Sequence, residues 1–328
     1  MTAHTGLVGV QRLGCQVLAN LAFNNADNKT AIVAAGGIRV VLAVMKAHDS
    51  EAGMQEAGCW NLAYLACNTD NQTAIATAGG ISVVLAAMTA HTGLVGVQRP
   101  GCQALANLAF NNADNKTAIV AAGGISVVLA AMTKHAEHED VQMKVCVTLR
   151  HLACNAANKT AIVAAGAIPV LLASMRAHRG QAEVQEQGCW LLANFRYNAD
   201  NMTAIAAAWG ISVVLAAMTA HTERTDVQLQ GCKALAILAV DDDSKREIAA
   251  AGGIHVVLAA MTTHMGHTDV QELGCAALGN IGWSNTTLQK RIKDEGGVVV
   301  VQAALAASGA TTNCKKYGQT LLGKLARV

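Results

Sequence analysis

The chain has 328 residues, 52% hydrophobic, 3% aromatic and 14% charged, with a formal net charge of +2. That balance supplies a large core but excludes both the strong basic field that phosphate-backbone binding needs and an acidic tail. Only two prolines occur, which argues against long coil linkers.

The N-terminus, Met1-Thr2-Ala3-His4, lacks a basic stretch followed by an apolar one, so no secretion signal is expected. Residues 2–38 recur as residues 89–125, with 35 of 37 positions identical; only Leu13/Pro100 and Val17/Ala104 differ. Such self-similarity is the mark of a repeat architecture. Cysteine supplies the ruler. Cys15, Cys59, Cys102, Cys146, Cys189, Cys232 and Cys275 follow one another at steps of 43 or 44 residues. Gln11, Gln55, Gln98, Gln142, Gln185, Gln228 and Gln271 keep the same step, as do His48, His91, His135, His178, His221 and His264, with His4 one step before. The copied block is two units long.

Each unit reads as three helices. Asn28–Gly36 predicts a short first helix, starting on an Asn suited to N-capping and stopping at Gly36-Gly37. Ile38–His48 predicts a largely apolar, buried second helix. Met54–Cys67 predicts a third, with Cys59, Leu62, Leu65 and Ala66 at helical spacing. The longest apolar run, Ala204–Met218, is shorter than the roughly 20 residues a membrane span needs and is broken by Gly210.

Helical units of this length resemble armadillo repeats. The likeness becomes specific at Ala165-Gly166-Ala167-Ile168-Pro169, which matches the turn after that family's first helix, and at Leu18-Ala19-Asn20-Leu21-Ala22, which matches its third-helix motif. The phrasing is similar to armadillo arrays of large protist and kinase-associated scaffold proteins. The resemblance implies an all-α, right-handed superhelical solenoid forming a single domain over 1–328. The seven repeats are expected at 24–67, 68–110, 111–154, 155–197, 198–240, 241–283 and 284–328, after a lone third helix within 1–23. Their starts fall near Asn24, Asn68, Asn111, Asn155, Asn198, Asp241 and Ser284.

The repeated polar residues read first as structure. Stacked helices lie about 8–10 Å apart, too far for the cysteine ladder to cross-link along itself, since a disulfide needs Cα atoms within roughly 4.4–6.8 Å. The ladder cysteines are expected to be small buried residues, reduced, as in the cytosol or nucleus. The histidines are expected at helix C-termini, bonding the last carbonyls. The Asn-x-Thr sites at Asn28, Asn71, Asn115, Asn158, Asn201 and Asn285 are read as helix caps and corners rather than glycan acceptors. No phosphate loop, carboxylate pair or Ser/His/Asp grouping breaks the period, so neither an enzyme nor a cofactor nor a metal is expected.

In armadillo proteins the third helices line a concave groove, where a ladder Asn holds the backbone of an extended peptide. The positions that the resemblance points to are Asn20, Tyr64, Asn107, His151, Asn194, Ile237 and Asn280. One turn earlier lie Gln16, Trp60, Gln103, Val147, Trp190, Lys233 and Ala276. Spacings of four place both rows on one helix face. The face varies while the rest of the helix repeats, as a binding surface does. The candidate partner-binding residues are Asn20, Trp60, Tyr64, Gln103, Asn107, His151, Trp190, Asn194, Lys233 and Asn280. Import adaptors of this family pair Trp-x-x-x-Asn in most units; here only Trp190 with Asn194 fits, and Trp60 meets Tyr64. The expected partner is a protein or peptide segment, with neither nucleic acid nor membrane. Two alternatives stay open. One is an architectural segment that self-associates through the uncovered Leu13, Val17, Leu18 and Leu21. The other is a designed or consensus array, which the near-identical blocks fit and the irregular corner Asp241-Asp242-Asp243 does not.

Overall fold

The structure, a computed structural model, describes residues 6–195, 199–307 and 309–328; all regular elements among them are helices. The helix α1 (Val8–Ala22) is followed by α2 (Ala26–Ala34), α3 (Gly37–Ala47) and α4 (Ala52–Leu65). Next come α5 (Thr69–Thr77), α6 (Gly80–Ala90) and α7 (Val95–Ala109), then α8 (Ala113–Ala121), α9 (Gly124–Lys134) and α10 (Glu139–Leu152). The pattern continues with α11 (Ala156–Ala164), α12 (Ala167–Ala177) and α13 (Ala182–Asn194), then α14 (Ala199–Ala207), α15 (Gly210–Ala220) and α16 (Thr225–Leu238). The last two triplets are α17 (Asp242–Ala250), α18 (Gly253–Thr263) and α19 (Thr268–Ile281), and α20 (Thr286–Asp294), α21 (Gly297–Ala306) and α22 (Thr312–Leu325).

Contacts divide the chain into two compact units, Met1–Val170 and Leu171–Val328. In the first, α1, α4, α7 and α10 pack side by side, as do α3, α6 and α9. In the second the same holds for α13, α16, α19 and α22, and for α15, α18 and α21. Among the described residues no single helix is long and apolar enough to cross a membrane.

At Asn28, Asn71, Asn115 and Asn158 the first helix of the triplet is capped three residues earlier than the Asn-x-Thr site suggests. The cap is Asn25, whose Oδ1 accepts the Asn28 N–H at 2.9 Å. Asn68, Asn112, Asn155 and Asp241 do the same for the N–H three residues on. Asn28 instead donates its Nδ2 to Leu21 O at 2.9 Å, and Asn71, Asn115, Asn158 and Asn201 likewise reach carbonyls at the end of the preceding third helix. Of the six sites only Asn285 is itself the cap. The reason is local: at four of the sites the residue three before is another Asn, whose side chain takes the free N–H, whereas Gly282 before Asn285 has no side chain to do so.

First and second helices meet at bends of 72–74° in the four pairs α2/α3, α5/α6, α8/α9 and α11/α12. Each corner turns on a residue in the left-handed region. Six are glycine, with φ from 79° to 90°; in the remaining one it is Trp209, at φ 61° and ψ 34°. The second and third helices close on each other through Met45 and Gly58, where a Cβ would lie 2.4 Å from Met45 Cγ.

The Gln and His ladders share one joint. Gln98 Nε2 donates to Met88 O at 2.7 Å and to His91 O at 2.9 Å, and Gln55, Gln142, Gln185, Gln228 and Gln271 repeat both bonds. The last carbonyls of the second helix are thus already taken, and the histidine ring turns elsewhere. His91, His135, His221 and His264 donate Nε2–H to Asp49 O, Thr92 O, Arg179 O and Thr222 O, each at 2.7 Å. A carbonyl only accepts, so Nε2 carries the proton. These four histidines therefore staple their interhelical link to the link of the preceding triplet, rather than capping their own helix. His4 lies outside the described residues. All seven ladder cysteines are fully buried. Burial pushes their thiols up, to about 11 at Cys15 and about 12 at Cys146 and Cys232.

Leu13, Val17 and Leu21 on α1 are 56%, 55% and 47% exposed, and Leu18 is half-buried. Their counterparts on α7, Pro100, Ala104, Leu105 and Leu108, are buried, and α4 packs on that helix.

Candidate partner-binding surface

The candidate residues lie on the C-terminal halves of the third helices, and those four apart on one helix share a face of it. In the first unit this face carries a connected row of rings. Phe23 meets Tyr64 edge-on with centroids 5.2 Å apart, Tyr64 stacks on Trp60 at 5.3 Å, and Arg99 lies over Trp60 at 5.4 Å. Arg99 Nε also faces Asp140 Oδ2 at 3.3 Å. Both partners of that pair are about half exposed, so it adds little stability. Phe110 sits 5.2 Å from the His151 ring.

The second unit repeats the motif with different residues. Lys233 lies 5.8 Å from the Trp190 ring and Lys324 lies 3.3 Å from that of Trp283. Trp60 and Trp190 on third helices, and Trp283 just past the end of α19, are thus each faced by a cation from the next third helix. A cavity of about 380 Å³ opens beside Trp283, lined also by Ala236, Ile237, Ala239, Val240, Lys245 and Asn280. Lys245 is buried and donates to Asp242 Oδ1 at 3.1 Å and Trp283 O at 3.3 Å. Desolvation pulls the Lys324 amine below its usual range, and repulsion from Lys245 adds to this.

The ladder amides are only partly available. Asn107 Nδ2 donates to Ala63 O at 2.8 Å, Asn280 Nδ2 to Ala236 O at 2.7 Å, and His151 Nδ1 to Ala106 O at 2.9 Å. These acceptors lie in the last turns of α4, α16 and α7, where helices leave carbonyls without partners. The ladder side chain thus caps its neighbour before it meets any ligand. Asn107 Oδ1 also accepts Gln103 Nε2 at 2.8 Å. Asn194 donates to Trp190 O within its own helix at 2.8 Å, and Asn20 is exposed on α1. Burial holds the His151 imidazole below its usual value of 6.5. Asn198, one turn beyond Asn194, lies outside the described residues.

Sequence reasoning missed a row at the very end of the third helices. Phe23, Phe110, Val240 and Trp283 are 55%, 50%, 63% and 54% exposed, and Cys67 and Cys154 are exposed in the same register. Each stands eight residues after a ladder cysteine, so the ruler itself could have found them.

With this geometry in hand, comparison with known proteins assigns the fold family. The profile of the GAC ARM domain matches residues 9–279. The chain belongs to the GAC ARM domain family. Engineered proteins are among the solved structures similar to this chain. One engineered protein is 27% identical, with 75% of this chain and 96% of that chain covered and a TM-score of 0.64. A second shares 24% identity over 98% of this chain and 96% of that one, with a TM-score of 0.55. A designed armadillo repeat protein shares 15% identity over 75% and 98%, with a TM-score of 0.63. No curated protein matches. The array is an all-α solenoid of a class that typically serves as a protein-binding scaffold.

Proposed function

We propose that this armadillo array binds an extended segment of a protein partner across its third-helix face, without catalysis, cofactor or metal. The observation that carries the reading is the set of cation-faced indoles, Trp60 with Arg99, Trp190 with Lys233 and Trp283 with Lys324, flanked by exposed Phe23, Phe110 and Val240. Aromatic side chains and arginine are the residues that dominate interface energetics. Asn280 spends one N–H on Ala236 and keeps a second N–H and its carbonyl for a peptide backbone. The ten cysteines suit a reducing compartment, the cytosol or the nucleus.

The test is a peptide array probed with the protein and with a Trp190→Ala, Trp283→Ala variant. Loss of the bound peptides, with helicity and melting temperature retained, supports the face as the binding surface. Identical capture by both proteins makes it a solvated face. The exposed Leu13, Val17 and Leu21 favour a second reading, self-association through α1. In that case mass by light scattering rises with concentration and Leu13→Glu with Val17→Glu abolishes the rise; a strict monomer refutes it.

A further inference from the structure

Three departures from the repeat meet at one place, away from the third-helix face. The first is Trp209. It occupies the corner position that is glycine at Gly36, Gly79, Gly123, Gly166, Gly252 and Gly296, all with positive φ. A bulky side chain there is strained, because its Cβ crowds the neighbouring carbonyl. The indole recovers little by packing, being 68% exposed. A residue that strains the backbone and then leaves its ring in solvent points toward a role outside the fold.

The second and third departures are Arg176 and Arg179. In the same register the other units carry Lys46 and Asp49, Thr89 and Thr92, Thr133 and Ala136, Thr219 and Thr222, and Thr262 and Met265. Only here do two cations coincide, both exposed, and neither forms an ion pair among the described residues. They line a cavity of about 160 Å³ with Met175, Gln185, Ser212, Val213, Ala216 and Ala217. Two of the lining residues tie the cavity to the strained corner. Arg176 Nη2 donates to Ala208 O, and Ser212 Oγ donates to Trp209 O at 2.8 Å.

We propose that Trp209, Arg176 and Arg179 form a second docking surface, which takes a protein segment presenting an apolar side chain flanked by carboxylates. The apolar Met175, Val213, Ala216 and Ala217 line the cavity together with the two arginines. The exposed guanidiniums supply bidentate donors for the flanking acids, and the indole supplies a large rigid contact. The surface is independent of the third-helix face and stands whether or not that face binds.

The test uses a phage-displayed library of random dodecapeptides selected on the full chain. Enriched sequences are expected to carry Asp or Glu on both sides of an aliphatic residue. As labelled peptides in fluorescence anisotropy, they should bind at least tenfold more weakly to Trp209→Gly and to Arg179→Glu, and equally well to Trp190→Ala with Trp283→Ala. Arg179→Glu removes no side-chain bond of the fold, and Trp209→Gly restores the residue of the other corners, so both variants should melt no lower than the parent. Enrichment without acidic bias overturns the proposal. So does undiminished binding to either variant, or no enrichment at all. Peptides lost on Trp190→Ala with Trp283→Ala but kept on Trp209→Gly would assign the binding to the third-helix face instead.

Discussion

The joint made by Gln98 allows a stability calculation. Gln98 is 1% exposed and donates to Met88 O at 2.7 Å and His91 O at 2.9 Å. Gln98→Met keeps the side chain's length and removes both donors. His91 O still receives Leu94 N–H at 3.1 Å, so that loss is one net hydrogen bond, about 1 kcal/mol. Met88 O lies in the last turn of α6, with no helical partner. Left buried and unpaired it costs about 1–3 kcal/mol more, for a total of roughly 2–4 kcal/mol. Repeat arrays unfold piecewise, so the assay is urea denaturation read together with amide exchange at α6 and α7. Exchange in those helices should accelerate while the last triplet, α20 to α22, keeps its protection. A change below about 0.5 kcal/mol, the usual effect of a neutral surface substitution, would refute the view that this glutamine holds the second helix to the third.

Other outcomes follow from burial and charge. Of the ten thiols, Cys67 and Cys154 should react with an alkylating reagent in the folded protein, while the eight buried ones react only on unfolding; mass spectrometry over time counts them. His151→Asn should flatten the pH dependence of stability. The folded imidazole sits below 6.5, so the unfolded chain takes the proton first, and stability that is full above 6.5 declines as pH falls through it; parallel melting curves for parent and variant between pH 7 and pH 5 would contradict this. Trp209→Gly should raise stability by about 1 kcal/mol, the left-handed strain relieved less the entropy of the added glycine, and a lower melting temperature would show that the exposed ring packs after all.

The sequence by itself determined the period, the triplet of helices and the face on which variation collects. These follow from 43- and 44-residue steps and from helical spacing, which act through local geometry and nearest-neighbour packing. Burial of the cysteine ladder was legible for the same reason: a small apolar residue recurring in register has nowhere else to go. What the sequence left undecided was the choice of hydrogen-bond partner. The sequence pattern puts the cap on Asn28, whereas the folded corner assigns it to Asn25 and sends Asn28 back to Leu21 O. His91 was legible as a residue at a helix end, but its acceptor, Asp49 O, lies 42 residues away and is brought close only by stacking. The ladder amides of Asn107 and Asn280 met the same fate, drawn onto carbonyls that a helix end leaves unpaired in the preceding unit. Local propensity and periodicity are properties of the chain. A donor's partner is settled by which free acceptor the tertiary packing brings within about 3 Å, and for Asn28, His91, Asn107 and Asn280 that acceptor lies outside the donor's own helix.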